Sequence, residues 1–216
     1  MATRPRIITV EGNIGAGKST LVQTLKEKYT DCKDILFLQE PVDVWSQIQQ
    51  DGKNIIELFY QDKQKYSFAF QILAYTTRLH NIKNAVQEAE ENGVRVIVME
   101  RSLEADRNIF AKMLYDQGVM EPCMYQIYEK MSDDGLRQYM ADGILWVNTP
   151  PDVCRMRILG RGRPGEEGIG LDYLAQCDCY HREWLGGDTG YVYLVDENVD
   201  WAALDMYLYG DTKWMH

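Results

Sequence analysis

The chain has 216 residues, enough to bury the core of one α/β domain and too few for two of ordinary size. Hydrophobic residues make up 45% and charged residues 26%, as in globular proteins, and no apolar run is long enough to cross a membrane. The net charge of −10 argues against nucleic-acid binding, which usually requires a basic surface. The first predicted strand begins a few residues after Met1, which leaves no room for a targeting peptide, so we expect a cytoplasmic protein.

That first element is a short buried strand at residues 6–10 (RIITV), and a helical pattern begins at Thr20. Between them the segment GNIGAGKS fits G-x-x-x-x-G-K-[ST] without a mismatch. Glycines let the N–H groups of such a loop turn inward to a phosphate, and the following helix adds the positive end of its dipole. The alternative is an ordinary glycine turn. The pattern predicts binding of a nucleoside triphosphate through Gly12, Asn13, Gly15, Ala16, Gly17, Lys18, Ser19 and Thr20.

Further strands are predicted along the chain at 35–39, 94–99, 144–148 and 191–195. Long helical patterns separate them. The clearest runs from Tyr66 to Asn92, where apolar residues recur at steps of four and three, and it stops at Gly93. Strands that alternate with helices predict an α/β fold with a five-stranded parallel sheet flanked by helices, in a single domain spanning residues 1–216. The site is expected at the carboxyl ends of the strands.

Polar side chains follow two of these strands. Glu40 comes at the end of the second strand and is followed by Pro41, and it could accept a proton from an attacking hydroxyl. Glu100 and Arg101 end the third strand, where an acid can bind Mg²⁺ and an arginine can bridge substrate and phosphate. The alternatives are a solvated surface glutamate at residue 40 and a structural ion pair at residues 100 and 101.

The segment RMRILGRGR places four arginines within nine residues of an acidic chain: Arg155, Arg157, Arg161 and Arg163. Such a cluster suggests a local anion site, although a solvated basic helix face is the alternative. The charged, glycine-containing stretch that follows predicts a mobile lid over about residues 161–170, which would bring arginines onto transferring phosphates.

Together these positions resemble the deoxynucleoside kinase family, on the deoxycytidine and deoxyguanosine kinase side. The resemblance covers nearly the whole chain, from about Ile7 to Trp201, in the right order and at compatible spacings. The matching segments are EGNIGAGKST, EPV-x-x-W, YSFAFQ, ERS followed by Asp106-Arg107, RGR-x-x-E-E-G-I, LDYL and HREWL. Pro164-Gly165 inside the lid departs from the family pattern, and the tail after about Asp205 shows no resemblance.

The resemblance implies a P-loop kinase fold and a catalytic role for several residues. Glu40 would be the general base on the 5′-hydroxyl of the nucleoside, with Arg101 bonded to that carboxylate and hydroxyl. Lys18, Ser19 and Glu100 would hold the phosphates of ATP and the Mg²⁺ ion, with Ser19 and Glu100 as the metal ligands. Arg157, Arg161 and Arg163 would clamp the donor phosphates, and Trp201 would pack near the donor base.

For the acceptor, the resemblance implies that Tyr60 and Glu166 bind the sugar 3′-hydroxyl. The base would contact Gln71, Arg78, Asp106 and Phe110. The spacing of Gln71, Ala74 and Arg78 supports this, because it places the three residues on one helix face with a small residue in the middle. Taken alone, Gln71 would be interpreted as a solvated residue and Phe110 as core packing. His80, His181 and His216 have no role in this scheme.

The resulting hypothesis is transfer of the γ-phosphoryl group of ATP, with Mg²⁺, to the 5′-hydroxyl of deoxycytidine or a purine deoxynucleoside in nucleotide salvage, by a homodimer. One alternative is a nucleoside monophosphate kinase, which is disfavoured because Glu40 would repel a phosphorylated acceptor. Another is an inactive relative that serves as a structural subunit, which would have been free to lose Lys18, Glu40 or the lid arginines.

Overall fold

Five parallel strands form the central sheet of the computed structural model, which describes residues 4–187, 191–195 and 199–210. In chain order the strands are β1 Arg6–Glu11, β2 Ile35–Leu38, β3 Gln49–Gln50, β4 Lys53–Asn54, β5 Val96–Glu100, β6 Gly143–Val147 and β7 Val192–Val195. The sheet has the order β2-β5-β1-β6-β7, whereas β3 and β4 pair as a separate antiparallel hairpin. The predicted five-stranded parallel sheet is confirmed.

Helices alternate with these strands along the chain. They are α1 Lys18–Lys28, α2 Val42–Ser46, α3 Ile55–Gln61, α4 Lys63–Asn92, α5 Leu103–Ala105, α6 Lys112–Asp116, α7 Pro122–Tyr139, α8 Pro151–Arg161, α9 Leu171–Leu185 and α10 Trp201–Tyr209. A π-helical segment, Asp106–Ala111, joins α5 to α6. Among the described residues, no helix has the length and apolar character needed to cross a membrane.

The central strand β1 separates two hydrophobic cores, because successive side chains of a strand point to opposite faces of the sheet. Ile7 belongs to the core that α4 and α7 cover, whereas Ile8 and Val10 belong to the core beneath α1 and α10. All three side chains are fully buried. A strand with helices on both faces is expected to be apolar on both sides, and the predicted α/β fold is confirmed.

The long helix α4 carries several of the predicted site residues. It begins at Lys63, three residues before the predicted start, because the side chain of Asp62 accepts a hydrogen bond from an N–H of the first turn and caps the helix there. It ends at Asn92, and Gly93 adopts the left-handed conformation with φ of 72°, as predicted for the stop signal.

The carboxyl ends of β1, β2 and β5 meet at one edge of the sheet, because the three strands are neighbours and parallel. Gly12 follows β1 directly, Glu40 lies two residues after β2, and Glu100 is the last residue of β5. The sheet therefore brings together side chains that are far apart in the sequence.

Candidate active site

In the loop after β1, both the backbone conformation and the lack of space for a side chain require glycine at Gly12 and Gly15. Gly12 has φ of 145° and Gly15 has φ of 79°, values that residues with a side chain rarely adopt. A Cβ atom would lie 2.5 Å from the carbonyl oxygen of Val147 at the first position and 2.6 Å from that of Cys154 at the second. The side chain of Asn13 donates a hydrogen bond of 2.8 Å to a backbone carbonyl of α9. The loop is thus packed tightly against β6, α8 and α9.

Lys18 is the first residue of α1 and is almost fully buried. Its Nζ donates a hydrogen bond of 2.9 Å to the backbone oxygen of Asn13. Burial and the nearby charge of Arg101 lower the pKa of Lys18 to about 8, although Glu100 and Glu40 oppose the change. A bound phosphate would add negative charge and favour the protonated lysine.

Ser19 and Glu100 place two side-chain oxygen atoms that can bind a metal ion at the base of the glycine loop. The Ser19 hydroxyl donates to Glu100 Oε1 at 2.8 Å. Within the described ranges, no group of three or more histidine, cysteine, aspartate or glutamate side chains could hold a metal ion. The pair still fits Mg²⁺, which prefers oxygen ligands and is usually held by one or two protein side chains together with substrate phosphates and water.

Four side chains form what we call the inner arginine cluster: Glu40, Arg78, Arg101 and Asp106. Arg78 binds Asp106 through two hydrogen bonds, Nε to Oδ2 at 2.9 Å and Nη2 to Oδ1 at 3.3 Å. Arg78 Nη2 also donates to Glu40 Oε1 at 3.0 Å, and Arg101 Nε donates to the same oxygen at 3.2 Å. Because Arg78 Nη1 donates to the backbone oxygen of Glu100 at 3.1 Å, all three guanidinium nitrogens of Arg78 are engaged.

This cluster determines the ionisation of Glu40. Burial by itself would raise the pKa of Glu40, but the charges of Arg101 and Arg78 outweigh it and lower the pKa to about 2. Burial raises the pKa of Asp106, and the charge of Arg78 opposes that rise. Both bonds to Glu40 end on Oε1, so its Oε2 has no hydrogen-bond donor among the described residues. Glu40 is therefore an ionised carboxylate with one oxygen available.

A cavity of about 630 Å³ opens on one side of Glu40, and we call it the acceptor cavity. Its lining is mainly aromatic and apolar, with a few polar groups. The residues that matter below are Trp45, Phe59, Tyr60, Gln71, Ala74, Arg78, Asp106, Phe110, Glu166 and Tyr173. Such a lining suits a flat ring that is bound by a small number of hydrogen bonds.

The structure places Gln71 and Ala74 on the α4 face that carries Arg78, and all three side chains are buried. Gln71 Oε1 is buried with no hydrogen-bond partner among the described residues. The buried position of Gln71 differs from the solvated position expected when the residue is considered without the family resemblance. Phe110 also lines the cavity, and its ring centroid lies 4.6 Å from the Arg101 guanidinium carbon. Phe110 is thus not simply part of the core.

On the other side of Glu40 lies the phosphate cavity, with a volume of about 1290 Å³. Its lining combines the glycine loop with the carboxyl end of β5 and the arginines of α8 and the lid. The residues concerned are Gly15, Gly17, Lys18, Ser19, Thr20, Glu100, Arg157, Arg161 and Arg163. Arg157 Nη1 donates to the backbone oxygen of Ala16 at 2.7 Å, so α8 also holds the loop.

The lid arginines have a carboxylate partner in this structure. Arg161 Nη2 and Arg163 Nη1 both donate to Glu166, the latter at 3.1 Å, and we call these three residues the lid arginine cluster. Glu166 itself is buried. Glu40, Arg101, Arg163 and Glu166 line both the acceptor cavity and the phosphate cavity, so the two cavities meet at these residues.

Gly165 explains how the lid comes so close to the acceptor cavity. Its φ is 89°, and a Cβ atom there would lie 2.7 Å from Glu57 Cγ and 2.9 Å from the Glu57 backbone nitrogen. Glu57 belongs to the first turn of α3, where it forms a capping box with Asn54. The residue that departs from the family pattern therefore lets the lid pack against α3.

A third cavity, of about 1570 Å³, lies beside the glycine loop on the side of β7 and α10. Trp201 lines it together with Gly17, Thr20 and Arg157, which also line the phosphate cavity. The third cavity is therefore compatible with the prediction that Trp201 packs near the base of the nucleotide donor.

Sequence reasoning assigned no role to two aromatic residues that line the acceptor cavity, Trp45 and Tyr173. Both stood in matched segments, EPV-x-x-W and LDYL, which was the available signal. His181 is buried, and its Nδ1 lies 2.6 Å from the backbone oxygen of Cys177. His80 is partnered by Asn84 on α4, whereas His216 and the rest of the tail after Gly210 lie outside the described residues.

A glycine loop of the phosphate-binding type beside an acceptor cavity, with a carboxylate where the two meet, defines the class of small-molecule kinases. The family model described as deoxynucleoside kinase matches residues 8–204. The chain therefore belongs to the deoxynucleoside kinase family, and the predicted family and enzyme class are confirmed.

Individual relatives agree with this assignment. The chain is 33% identical to the deoxycytidine kinase of Homo sapiens over 204 residues, which cover 85% of this chain and 76% of the relative. It is 32% identical to a probable deoxycytidine kinase of Fowlpox virus over 191 residues, 87% of this chain and 75% of that protein. It is 28% identical to the mitochondrial deoxyguanosine kinase of Xenopus laevis over 201 residues, 84% and 74% of the two chains.

Proposed function

We propose that this kinase transfers the γ-phosphoryl group of ATP to the 5′-hydroxyl of deoxycytidine and of purine deoxynucleosides, with Mg²⁺, in nucleotide salvage. The observation that carries the proposal is the position of Glu40, an ionised carboxylate in the lining of both the acceptor cavity and the phosphate cavity. A nucleoside in the first cavity would present its hydroxyl to a γ-phosphate in the second, with Glu40 between them.

Glu40 would accept the proton of the attacking hydroxyl through Oε2, the oxygen without a donor. A pKa of about 2 makes it a weak base, but it is always ionised near neutral pH. Phosphoryl transfer passes through a loose transition state, so the hydroxyl needs little activation before the bond to phosphorus forms and loses its proton late. Arg78 and Arg101 hold the carboxylate in place for that transfer.

Ser19 and Glu100 would hold Mg²⁺ beside the donor phosphates, where the ion supplies positive charge against the charge of the transferring group. Lys18 would leave the backbone oxygen of Asn13 and donate to the outer phosphates. Arg157 already holds the loop, and its position in the phosphate cavity supports a place beside the donor phosphates.

The lid arginine cluster would exchange partners when substrates bind. Arg161 and Arg163 would move from Glu166 to the transferring phosphate, where negative charge develops. Glu166 would then be released to accept a hydrogen bond from the sugar 3′-hydroxyl, together with the Tyr60 hydroxyl. The exchange is supported by the partial exposure of both arginine side chains, 36% and 37%.

Base selection would depend on Gln71 and Asp106, with Phe110 against the ring. An ionised Asp106 accepts hydrogen bonds and suits the amino group of cytosine or adenine, and the free amide of Gln71 can donate and accept. Thymine would instead present a carbonyl oxygen to Asp106 and a methyl group to the space beside Arg78. Two acceptors that face each other in a buried site oppose binding.

The test is to incubate the purified chain with ATP, Mg²⁺ and each of the four deoxyribonucleosides in turn, with chromatography to detect the 5′-monophosphate. We expect product from deoxycytidine and at least one purine nucleoside, far less from thymidine, and none when EDTA removes the metal. The matched control is Lys18→Met. Failure to phosphorylate any nucleoside, or turnover of nucleoside monophosphates alone, would contradict the proposal.

We also propose that the chain forms a homodimer through helices near α4. Support comes from α7, which packs against α4 and leaves Ile127 55% exposed. Sedimentation of the purified protein tests this, and a monomer at micromolar concentration would contradict it.

A further inference from the structure

Lys63 is the first residue of α4 and has an aromatic environment. Its Nζ lies 3.8 Å from the ring centroid of Tyr173, 5.8 Å from that of Tyr60 and 6.0 Å from that of Phe59. All three rings line the acceptor cavity, whereas Lys63 does not. The ammonium group therefore lies behind the cavity wall, in contact with the rings that form it.

Elementary electrostatics does not favour a lysine at this position. The N-terminus of a long helix carries partial positive charge, which disfavours a cation in the first turn. Burial lowers the pKa of Lys63, with the Cys177 thiol opposing the change, and no ion pair joins Lys63 to a carboxylate within the described ranges. The faces of the aromatic rings are the negative partners that remain, and cation–π attraction is stronger at a partly buried site such as this one than at an exposed site.

Tyr60 depends on such contacts for its position. Its hydroxyl forms no hydrogen bond with the part of the chain that the structure describes. Instead its ring packs edge-on against Phe59, with centroids 4.9 Å apart, and against Tyr173, with centroids 5.9 Å apart. The Lys63 Nζ lies within 6.0 Å of all three ring centroids, so its charge can act on each member of this set.

We propose that Lys63 is a positioning residue that holds Tyr60 and Tyr173 at the sugar end of the acceptor cavity and thereby increases affinity for the 3′-hydroxyl. This inference rests on the proposed function, because that proposal brings the Tyr60 hydroxyl to the sugar. Lys63 lines neither the acceptor cavity nor the phosphate cavity, so its effect falls on nucleoside binding and not on phosphoryl transfer.

The test compares Lys63→Met, which keeps the length of the side chain and removes its charge, with Lys63→Arg, which keeps a cation. The matched control is Lys65→Met, because Lys65 is exposed on the same helical turn and contacts Tyr66, a ring outside the cavity lining, at 4.9 Å. Each variant is assayed for kcat and KM with the best deoxyribonucleoside. Calorimetry then measures the dissociation constants of that nucleoside and of its 2′,3′-dideoxy analogue.

For Lys63→Met we expect a rise of about 3- to 10-fold in KM and in the dissociation constant of the deoxyribonucleoside, the range that a cation–π contact supports. We expect kcat to change by less than about twofold and the dissociation constant of the dideoxy analogue to stay the same. Lys63→Arg should restore most of the affinity, and Lys65→Met should resemble the unmodified protein. Equal weakening of both nucleosides, or no weakening, would overturn the inference.

Tyr60→Phe separates this inference from the proposal on which it rests. If Tyr60→Phe selectively weakens the deoxyribonucleoside but Lys63→Met does not, the role of Lys63 is wrong and the proposed function stands. If Tyr60→Phe weakens both nucleosides alike, the 3′-hydroxyl contact is wrong, and the inference about Lys63 is overturned with it.

Discussion

The protein contains two clusters in which arginines bind carboxylates, and they differ in burial. In the inner arginine cluster the side chains of Arg78 and Arg101 are 2% and 4% exposed. In the lid arginine cluster those of Arg161 and Arg163 are 36% and 37% exposed. Removing one partner from a buried pair typically costs about 3–5 kcal/mol, whereas exposed pairs contribute about 0–1 kcal/mol. We therefore expect the inner arginine cluster to stay fixed and the lid arginine cluster, whose arginines are more exposed, to exchange partners more readily.

The positions of the two clusters in the sequence agree with this difference in burial. The members of the inner arginine cluster come from the loop after β2, from α4, from the end of β5 and from the π-helical segment. The members of the lid arginine cluster lie within six residues of one another, from Arg161 to Glu166. A cluster that joins four elements supports the fold, whereas a local one can rearrange without disturbing it.

The largest effect is expected from Glu40→Gln, which changes the fixed cluster at its reactive member. The amide keeps the size of the side chain but cannot accept the proton, so turnover should fall by roughly 10²–10⁴ while nucleoside binding is largely kept. Steady-state kinetics gives kcat, and calorimetry gives nucleoside affinity. Turnover close to that of the unmodified enzyme would show that Glu40 is not the base.

The next largest effect is expected from Arg78→Met combined with Asp106→Ala, which opens the base end of the acceptor cavity. Thymidine should gain activity and deoxycytidine should lose it, shifting the ratio of their kcat/KM values by roughly 10²–10³, because unpaired buried polar groups discriminate strongly. Arg78 also holds Glu40, so both substrates should lose some turnover. The ratio of the two kcat/KM values is not affected by this loss of turnover, because both substrates share it. Thymidine as the best substrate of the unmodified enzyme would overturn this interpretation of the cavity.

A smaller effect is expected from Arg161→Ala or Arg163→Ala in the lid. Each should lower kcat by roughly 10²-fold, as loss of one transition-state donor does, with a smaller change in nucleoside affinity. Arg155→Ala is a suitable control, because Arg155 lines neither the acceptor cavity nor the phosphate cavity, and its one side-chain hydrogen bond among the described residues goes to the backbone oxygen of Glu167. A lid variant that raised only the nucleoside KM would exclude the phosphate role.

The smallest effect concerns Glu104, a buried carboxyl that forms no ion pair with an arginine among the described residues. Its Oε1 accepts a hydrogen bond of 2.8 Å from the Ala141 N–H, and its Oε2 has no partner among the described residues. Burial raises its pKa from the ordinary value of 4.5 to about 7. The folded protein therefore binds a proton that the unfolded chain releases, so the free energy of unfolding should fall as pH rises from about 4.5 to about 7 and then level off.

Glu104→Gln keeps the accepted hydrogen bond and removes the titration. The difference in unfolding free energy between pH 5 and pH 8 should shrink by roughly 1–3 kcal/mol, as measured by urea denaturation at both pH values. An unchanged difference would mean that Glu104 does not carry this pH dependence. Comparison with Glu40 then shows how the inner arginine cluster affects a buried carboxyl, because Arg101 and Arg78 lower the pKa of Glu40.

The fold and the position of the glycine loop could be predicted from the sequence. The glycine loop is contiguous, and its chemistry depends on backbone N–H groups and on two glycine conformations at Gly12 and Gly15. The five strands were recognisable because a parallel sheet with helices on both faces is apolar along its whole length. Glu40 and Glu100 could be placed because the carboxyl ends of parallel strands meet at one edge of the sheet.

The assembly of the acceptor cavity could not be predicted in the same way, because it depends on contacts between separate elements. The family pattern named Arg78 and Asp106, but the hydrogen bonds that Arg78 donates to both Asp106 and Glu40 depend on how α4 packs near the ends of β2 and β5. The positions of Lys63 and Tyr173 depend on how α9 packs against α3 and α4, from which it is distant in the sequence. Spacing in a sequence predicts which residues share a helix face, but contacts between elements follow from the packing of the whole core.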